Sequence, residues 1–542
     1  MLKPNKLQKN YTMNGSGYQL KLPLNIECII PEDDSVRLLS QFVEEMDLSD
    51  LYSTYERIRG NQATPRQLLK IMLYSYMNRI YSSRKIETSC HRDINFMYLL
   101  EGAPAPDHAT IARFRTLHFS LCSEEILAKT TEFLYSIGEI SGEDIFIDGT
   151  KIEANANRYT FVWKKAVTKN MAKLLDKAAS FVGNCEELYA VKVTFEKQVK
   201  IKTLKKLRKK LYEIKNSENI EFVYGKGKRK SQLQRDIEQL EEYLLRLKEY
   251  TKRIHKCGER NSYSKTDEDA TFMRMKEDHM MNGQLKPAYN VQHGVDSEYI
   301  VWLTVCDKTT DTNTLIPFMK SMENCLSFKY KNIVADAGYE SEENYVFIDG
   351  NKQLAFIKPS NYEISKTRKY QKDISRIENM DYNADEDLYV CKAGRNLTLD
   401  KTITRKSKSG YKSEKSIYSC KDCSNCKHKR DCIKGNNCKT PFEDRCKVLE
   451  TSKLFNAYRK EDLERIISEQ GCRLRMNRSI QAEGSFANIK QDMEFRRYLC
   501  RGKQNVKAES ILLAMAHNIN KIHHKIQNNK LGTHLFELKK TA

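Results

Sequence analysis

The stretch Ile145-Phe146-Ile147-Asp148-Gly149-Thr150 is an apolar run that meets an acid, and Ile333-Val334-Ala335-Asp336-Ala337-Gly338 repeats the pattern. Each run predicts a buried strand that ends on its acid. An acid at the end of a buried strand is costly unless something compensates it. A third acid, Glu483, sits in a helix-like segment from Ser479 to Leu499 that is dense in basic residues. Three such acids, converging, could hold a pair of divalent cations against a phosphodiester. Taken singly, Asp148 and Asp336 are equally well explained as turn caps beside glycine.

Between and around these acids the pattern alternates. Ala288–Val295 and Tyr299–Val305 read as strands, with Asp296-Ser297-Glu298 closing a hairpin. A helix around Leu315 to Leu326 precedes the Asp336 strand, and Ser341-Glu342-Glu343-Asn344 opens another helix with acids in its first turn. This order predicts a multi-domain α/β protein with a mixed sheet flanked by helices.

Asp34 to about Ser136 reads as helical. Thr64-Pro65 is an N-cap followed by proline, and Leu68, Leu69, Met72, Leu73 and Tyr76 recur at helical spacing. Ser82 or Ser83 opens a further helix, and Asp107 caps the one that carries Arg113 and Arg115. Short capped helices with basic faces suit a helix-turn-helix-like DNA contact; a helical scaffold with solvated arginines is the alternative. Between Trp163 and Gly258, Leu204, Leu207, Leu211 and Ile214 form one heptad-like arm, and Leu233, Ile237, Leu240, Leu244 and Leu247 form another. Joined through Gly225-Lys226-Gly227-Lys228, they predict an antiparallel coiled-coil hairpin.

Charge narrows the partner. Lys and Arg number 93 against 72 Asp and Glu, a net +21, which favours a polyanion such as nucleic acid. No apolar stretch approaches the roughly 20 residues of a membrane helix, and no signal-peptide core follows Met1. A cytoplasmic protein is expected, with its 16 cysteines as thiols or metal ligands rather than disulfides.

Two further clusters carry chemistry. Lys490 lies seven residues after Glu483, on the same face of an α-helix, and Arg496, Arg497, Arg501 and Lys503 follow. An ordinary surface pair is the bland alternative for Glu483 and Lys490 taken alone. Cys420, Cys423, Cys426 and Cys432 offer four thiolates in thirteen residues, a spacing typical of structural Zn2+. Unligated thiols or an iron–sulfur cluster are the alternatives.

Several strings, in order, resemble a DDE transposase of a bacterial insertion sequence. They are Pro106-Asp107-His108-Ala109-Thr110-Ile111-Ala112-Arg113-Phe114-Arg115, Asp148-Gly149-Thr150-Lys151-Ile152-Glu153-Ala154-Asn155-Ala156, Ser264-Lys265-Thr266-Asp267, Ala335-Asp336-Ala337-Gly338-Tyr339 and Arg478-Ser479-Ile480-Gln481-Ala482-Glu483 with Ile489-Lys490. The resemblance implies a ribonuclease-H-like core. Its sheet is preceded by an all-α domain and interrupted by a helical hairpin and a small Cys-rich module. It implies two Mg2+ (or Mn2+) ions held by Asp148, Asp336 and Glu483. It also implies phosphate or DNA contacts by Lys490, Arg478, Arg496, Arg497, Arg113 and Arg115. The partners would be double-stranded DNA, as terminal inverted repeats and target, and further copies of the chain in a dimer or larger synapse, with neither a membrane nor a small-molecule substrate. One departure stands out: many relatives place arginine four residues before the glutamate and tyrosine three before that, where this chain has Ser479 and Met476.

The expected divisions are an extended lead-in (1–30), a helical DNA-binding domain (31–137), core segments (138–162, 261–360 and 448–525), the hairpin (163–260), the Cys-rich insertion (361–447) and a tail (526–542). Two other functions remain in view: a catalytically silent, transposase-derived DNA-binding protein, and a zinc-stabilised RNA-binding protein.

Overall fold

The computed structural model describes residues 29–193, 199–225, 227–275, 283–435, 438 and 440–534. Nearly all of the expected lead-in, Cys28, Lys226 of the glycine turn and the end of the tail lie outside the described residues.

The strands in chain order are β1 (Asp144–Glu153), β2 (Phe161–Trp163), β3 (Ser262–Ser264), β4 (Thr271–Arg274), β5 (Leu285–Asp296), β6 (Tyr299–Cys306), β7 (Asn332–Ala335) and β8 (Leu354–Ile357). The main sheet has the order β4-β5-β1-β7-β8, with β6 also paired to β5. β1 runs antiparallel to β5 and parallel to β7, and β7 runs parallel to β8, so the sheet is mixed. The β5–β6 hairpin turns at Ser297 and Glu298, whose φ values of 52° and 70° are those of a two-residue turn matched to strand twist.

Both faces of this sheet are covered, which explains the unbroken apolar runs. Ile145 and Ile147 point into the main core, whereas Phe146 packs on the other face with Val334, Phe356, Ile466, Leu474 and Ala482. That second face is roofed by the helices Lys453–Ile467 and Glu469–Ala487.

The N-terminal helices start where expected, with side-chain caps from Thr64 and Asp107 and none from Ser82. Thr64 and Gln67 make a reciprocal capping box at the head of the Pro65–Met77 helix, and the Asp107 carboxylate accepts from the Thr110 amide at 2.7 Å. The Pro65–Met77 helix is buried on every side, so its Lys70 must be neutralised; Glu44 and Glu101 each reach it at 2.6 Å. The long Lys503–Gln527 helix packs against the Pro65–Met77 helix and against β6. One hydrophobic core therefore runs from Val36 and Leu69 through Ile147 and Trp302 to Leu512, and position 137 is not a boundary between cores.

The insertion after β2 holds three helices, not the two arms that the leucine spacing predicts: Lys164–Tyr189, Ile201–Ser217 and Gln232–Cys257. Leu174, Ala178, Val182 and Cys185 of the first join the leucines of the other two in one separate cluster. β2 and β3 pair at its base. The Cys-rich region also carries more order than its polar composition suggests. β9 (Asp381–Asn383), β10 (Leu388–Val390), β11 (Asn396–Lys406), β12 (Lys412–Cys420) and β13 (Val448–Thr451) form an antiparallel sheet of five strands. Among the described residues no helix is long and apolar enough to cross a membrane.

Candidate active site

Asp148 lies inside its strand rather than at its end. β1 continues through Glu153 because β5 keeps pairing with it, from Phe146 opposite Val295 to Glu153 opposite Ala288. Side chains alternate along a strand, so Asp148 shares the face of Phe146, beneath the Glu469–Ala487 helix. Asp336 follows β7 directly and caps a short 3-10 turn, accepting from the Ala337 amide at 2.7 Å. The capping role and the role of an acid at a strand end thus fall on the same residue. β1 and β7 are adjacent and parallel, with Ile147 opposite Ala335, so the two aspartates come one residue after the same rung, Asp148 within β1 and Asp336 just past β7.

Glu483 reaches this place from the Glu469–Ala487 helix through Arg478. The Arg478 guanidinium lies 3.3 Å from Asp148 Oδ2 and 3.6 Å from Glu483 Oε1, bridging the two acids. Arg478 and Asp148 are largely buried, whereas the Glu483 side chain is 63% exposed. The arginine displaced by one position from its usual spacing therefore still stands on the acids, while Arg475 turns away to Tyr362. His293 is opposite Asp148 in register, stacks on Phe486 at 4.4 Å, and is pushed down to about 3 by burial. It is a neutral packing residue, so this neighbour brings no positive charge to Asp148. Among the described residues no group of three or more His, Cys, Asp or Glu side chains is arranged as a metal site.

The expected phosphate contacts divide. Lys490 is half-buried in a π-helical turn, Asn488–Asp492. The seven-residue interval from Glu483 crosses into that wider turn, so the shared-face argument, which assumes 3.6 residues per turn throughout, does not carry over. Arg496 is exposed; Arg497 is exposed too, but its guanidinium donates to the carbonyls of Ala154 and Ala156 at 3.2 and 3.1 Å, bracing the end of β1. Arg113 is exposed and lines a cavity with Arg57, Arg59 and His118.

Arg115 contradicts the expectation of a DNA contact. It is only 7% exposed, donates to the Tyr76 hydroxyl at 3.3 Å and pairs with buried Glu509 at 3.8 Å. It lies in a π-helical turn, Phe114–Phe119, that follows the α-helix of Arg113 and carries it inward, where it ties the N-terminal helices to the Lys503–Gln527 helix. Asp267 and Asp269 also serve that helix: they accept from the Gly502 and Lys503 amides at 3.2 and 2.9 Å, at its start.

Cys420, Cys423, Cys426 and Cys432 line one cavity beside the five-stranded sheet, and Cys391, His428 and Lys447 line it too. Burial pushes the Cys423 and Cys432 thiols up, and neighbouring thiols add to this. Cys391, on the short β10–β11 connection, is far off in sequence and was not among the expected ligands.

A residue missed by sequence reasoning is Asp311. Its carboxylate accepts from Asn290 Nδ2 at 2.7 Å and Gln292 Nε2 at 3.1 Å, beneath Gly149. The available signal was two amide side chains inside an apolar strand, which need partners when buried.

A family model described as "Transposase DDE domain" matches residues 390–523, and one described as "Transposase domain (DUF772)" matches residues 24–117. The first spans Glu483, Lys490 and the cysteine cavity; Asp148 and Asp336 lie outside both. No curated protein and no solved structure matches the chain.

Proposed function

We propose that this chain, as the DDE transposase of an insertion sequence that the two family matches support, binds the terminal inverted repeats of its element and catalyses strand cleavage and 3′-hydroxyl strand transfer. The observation that carries the reading is the meeting of Asp148 and Asp336 on adjacent parallel strands, with Glu483 joined to Asp148 through Arg478. The strand order and the mixed strand directions support a ribonuclease-H-like core.

Asp148, Asp336 and Glu483 would hold two Mg2+ or Mn2+ ions, which supply activation of the attacking oxygen and stabilisation of the departing one. The donor chemistry suits these ions: all three are hard carboxylate oxygens, and a guanidinium lies between Asp148 and Glu483 as a cation would. Arg478 would hold Asp148 and Glu483 together before the cations arrive and bind a substrate phosphate afterwards. Lys490, Arg496 and Arg113 would contact the DNA backbone, with the arginine-lined cavity of the N-terminal helices supporting that role. The cysteine cavity would hold a structural Zn2+, supported by four thiols at short spacing that line one space. Two DNA ends must be held together, so the working form would be a dimer or larger, acting in the cytoplasm.

One observation favours a second reading, a chain that binds DNA without cutting it: Arg478 already pairs with Asp148 and reaches Glu483, occupying oxygens that a cation would need. Incubating the protein with DNA that carries the element's ends and Mg2+ separates the two. Cleavage by the parent, lost in Asp148→Asn and Glu483→Gln, supports the transposase; binding without any nick supports the silent protein.

A further inference from the structure

The β1–β7 ladder ends at Ile147 and Ala335, one residue short of each proposed metal-holding aspartate. Past that rung the turn that follows β7 is bonded to β5 instead, on the opposite face of the sheet from Asp148. Asp311 is at the centre of this arrangement. A Cβ on Gly149 would stand 2.4 Å from Gln292 Nε2 and 2.8 Å from Asp311 Oδ1, so a larger residue there would push those two side chains aside. A Cβ on Gly338, two residues after Asp336, would stand 3.6 Å from Asp311 Oδ2. One carboxylate therefore faces the glycine that follows each aspartate. Thr312 Oγ1 donates to the Gly338 carbonyl at 3.0 Å, and the Tyr339 hydroxyl donates to Gln292 Oε1. Asn344 Nδ2 closes the set, donating to the carbonyls of Thr312 and Tyr339 at 3.0 and 2.6 Å.

We infer that Asp311 is a positioning residue: bonded to β5 and packed under Gly149 of β1, it carries Thr312 onto the Asp336–Tyr339 turn, and so sets the separation of Asp148 and Asp336. The inference rests on the reading of those aspartates as the acids that hold the cations. Asp311 does its work through shape and hydrogen bonds. Its Oδ1 is taken by two amides, and it lies on the far face of the sheet from the Asp148 carboxylate. Loss of such supporting bonds costs about 10–100-fold in metal affinity or activity in comparable sites.

The test uses the full chain with Asp311→Ala, Asp311→Asn and Thr312→Val. In the metal-free protein, amide hydrogen exchange in residues 336–339 is expected to rise about 5–10-fold in Asp311→Ala, with a smaller rise in Thr312→Val, as one or two hydrogen bonds are lost. With Mg2+ and element-end DNA, kcat is expected to fall about 10-fold or more and half-saturating Mg2+ to rise by a similar factor, with KM for DNA unchanged. Asp311→Asn keeps an oxygen for the two amides and should stay close to the parent. Unchanged exchange and kcat in both Asp311→Ala and Thr312→Val would overturn the inference. So would an Asp311→Asn as impaired as Asp311→Ala, which would assign the effect to charge. If Asp311→Ala does not fold, Thr312→Val decides alone. A parent that fails to cleave counts against the proposed function, while the exchange experiment still judges the clasp.

Discussion

At the scale of single residues, Arg115 separates structure from DNA contact. Truncating it leaves the Glu509 carboxylate buried without its cation, a change that costs about 3–5 kcal/mol in comparable pairs. Arg115→Ala should therefore lose about 3 kcal/mol in denaturant unfolding, while the folded fraction keeps the parent's DNA affinity. Unchanged stability with weakened binding would return Arg115 to the DNA surface. The sequence could not distinguish Arg115 from Arg113, because burial depends on which helix packs above, and that helix is nearly four hundred residues away. Asp148 was misread in a related way. Gly149 reads as the end of a strand, but β1 continues to Glu153, and Gln292 and Asp311 pack closely over the glycine.

At the scale of elements, the Lys453–Ile467 helix carries a pH-sensitive anchor. Asp462 accepts from the Ile357 amide at the end of β8 and from the Tyr345 hydroxyl, each at 3.1 Å, and burial pushes its carboxyl up to about 7. The unfolded value is roughly 3.9, so the folded chain holds a proton that the unfolded chain releases between those values. The stability this gives is complete below about pH 4 and is lost as pH rises through 7. Asp462→Asn should shrink the fall in unfolding free energy between pH 4 and pH 8 by several kcal/mol, about 2–4. Parallel parent and variant curves would contradict the account. The cysteine cavity gives a second prediction at this scale. Purified chain should carry about one zinc, and Cys423→Ser should lose it together with protection of the β12–β13 pairing. Metal-free parent with full protection there would remove zinc from the account. Heptad leucines revealed two helices of the insertion but not the third, whose buried face uses Ala178, Val182 and Cys185 among lysines. The five-stranded sheet was hidden for another reason: β11 is exposed along most of its length, so burial imposes little alternation on it.

For the whole molecule, the continuous core joins the N-terminal helices to the sheet through the Lys503–Gln527 helix, while the three-helix insertion has a core of its own. The strands and both aspartates were legible because fully buried strands must be apolar, which makes an acid conspicuous. The order of those strands was not, since it depends on pairing between distant segments. The central claim is that Asp148, Asp336 and Glu483 act together on DNA. The most direct test compares parent and Asp336→Asn for Mg2+-dependent cleavage of DNA bearing the element's ends, with binding measured in parallel. The account predicts equal binding and no cleavage by Asp336→Asn; cleavage equal to the parent's would contradict it.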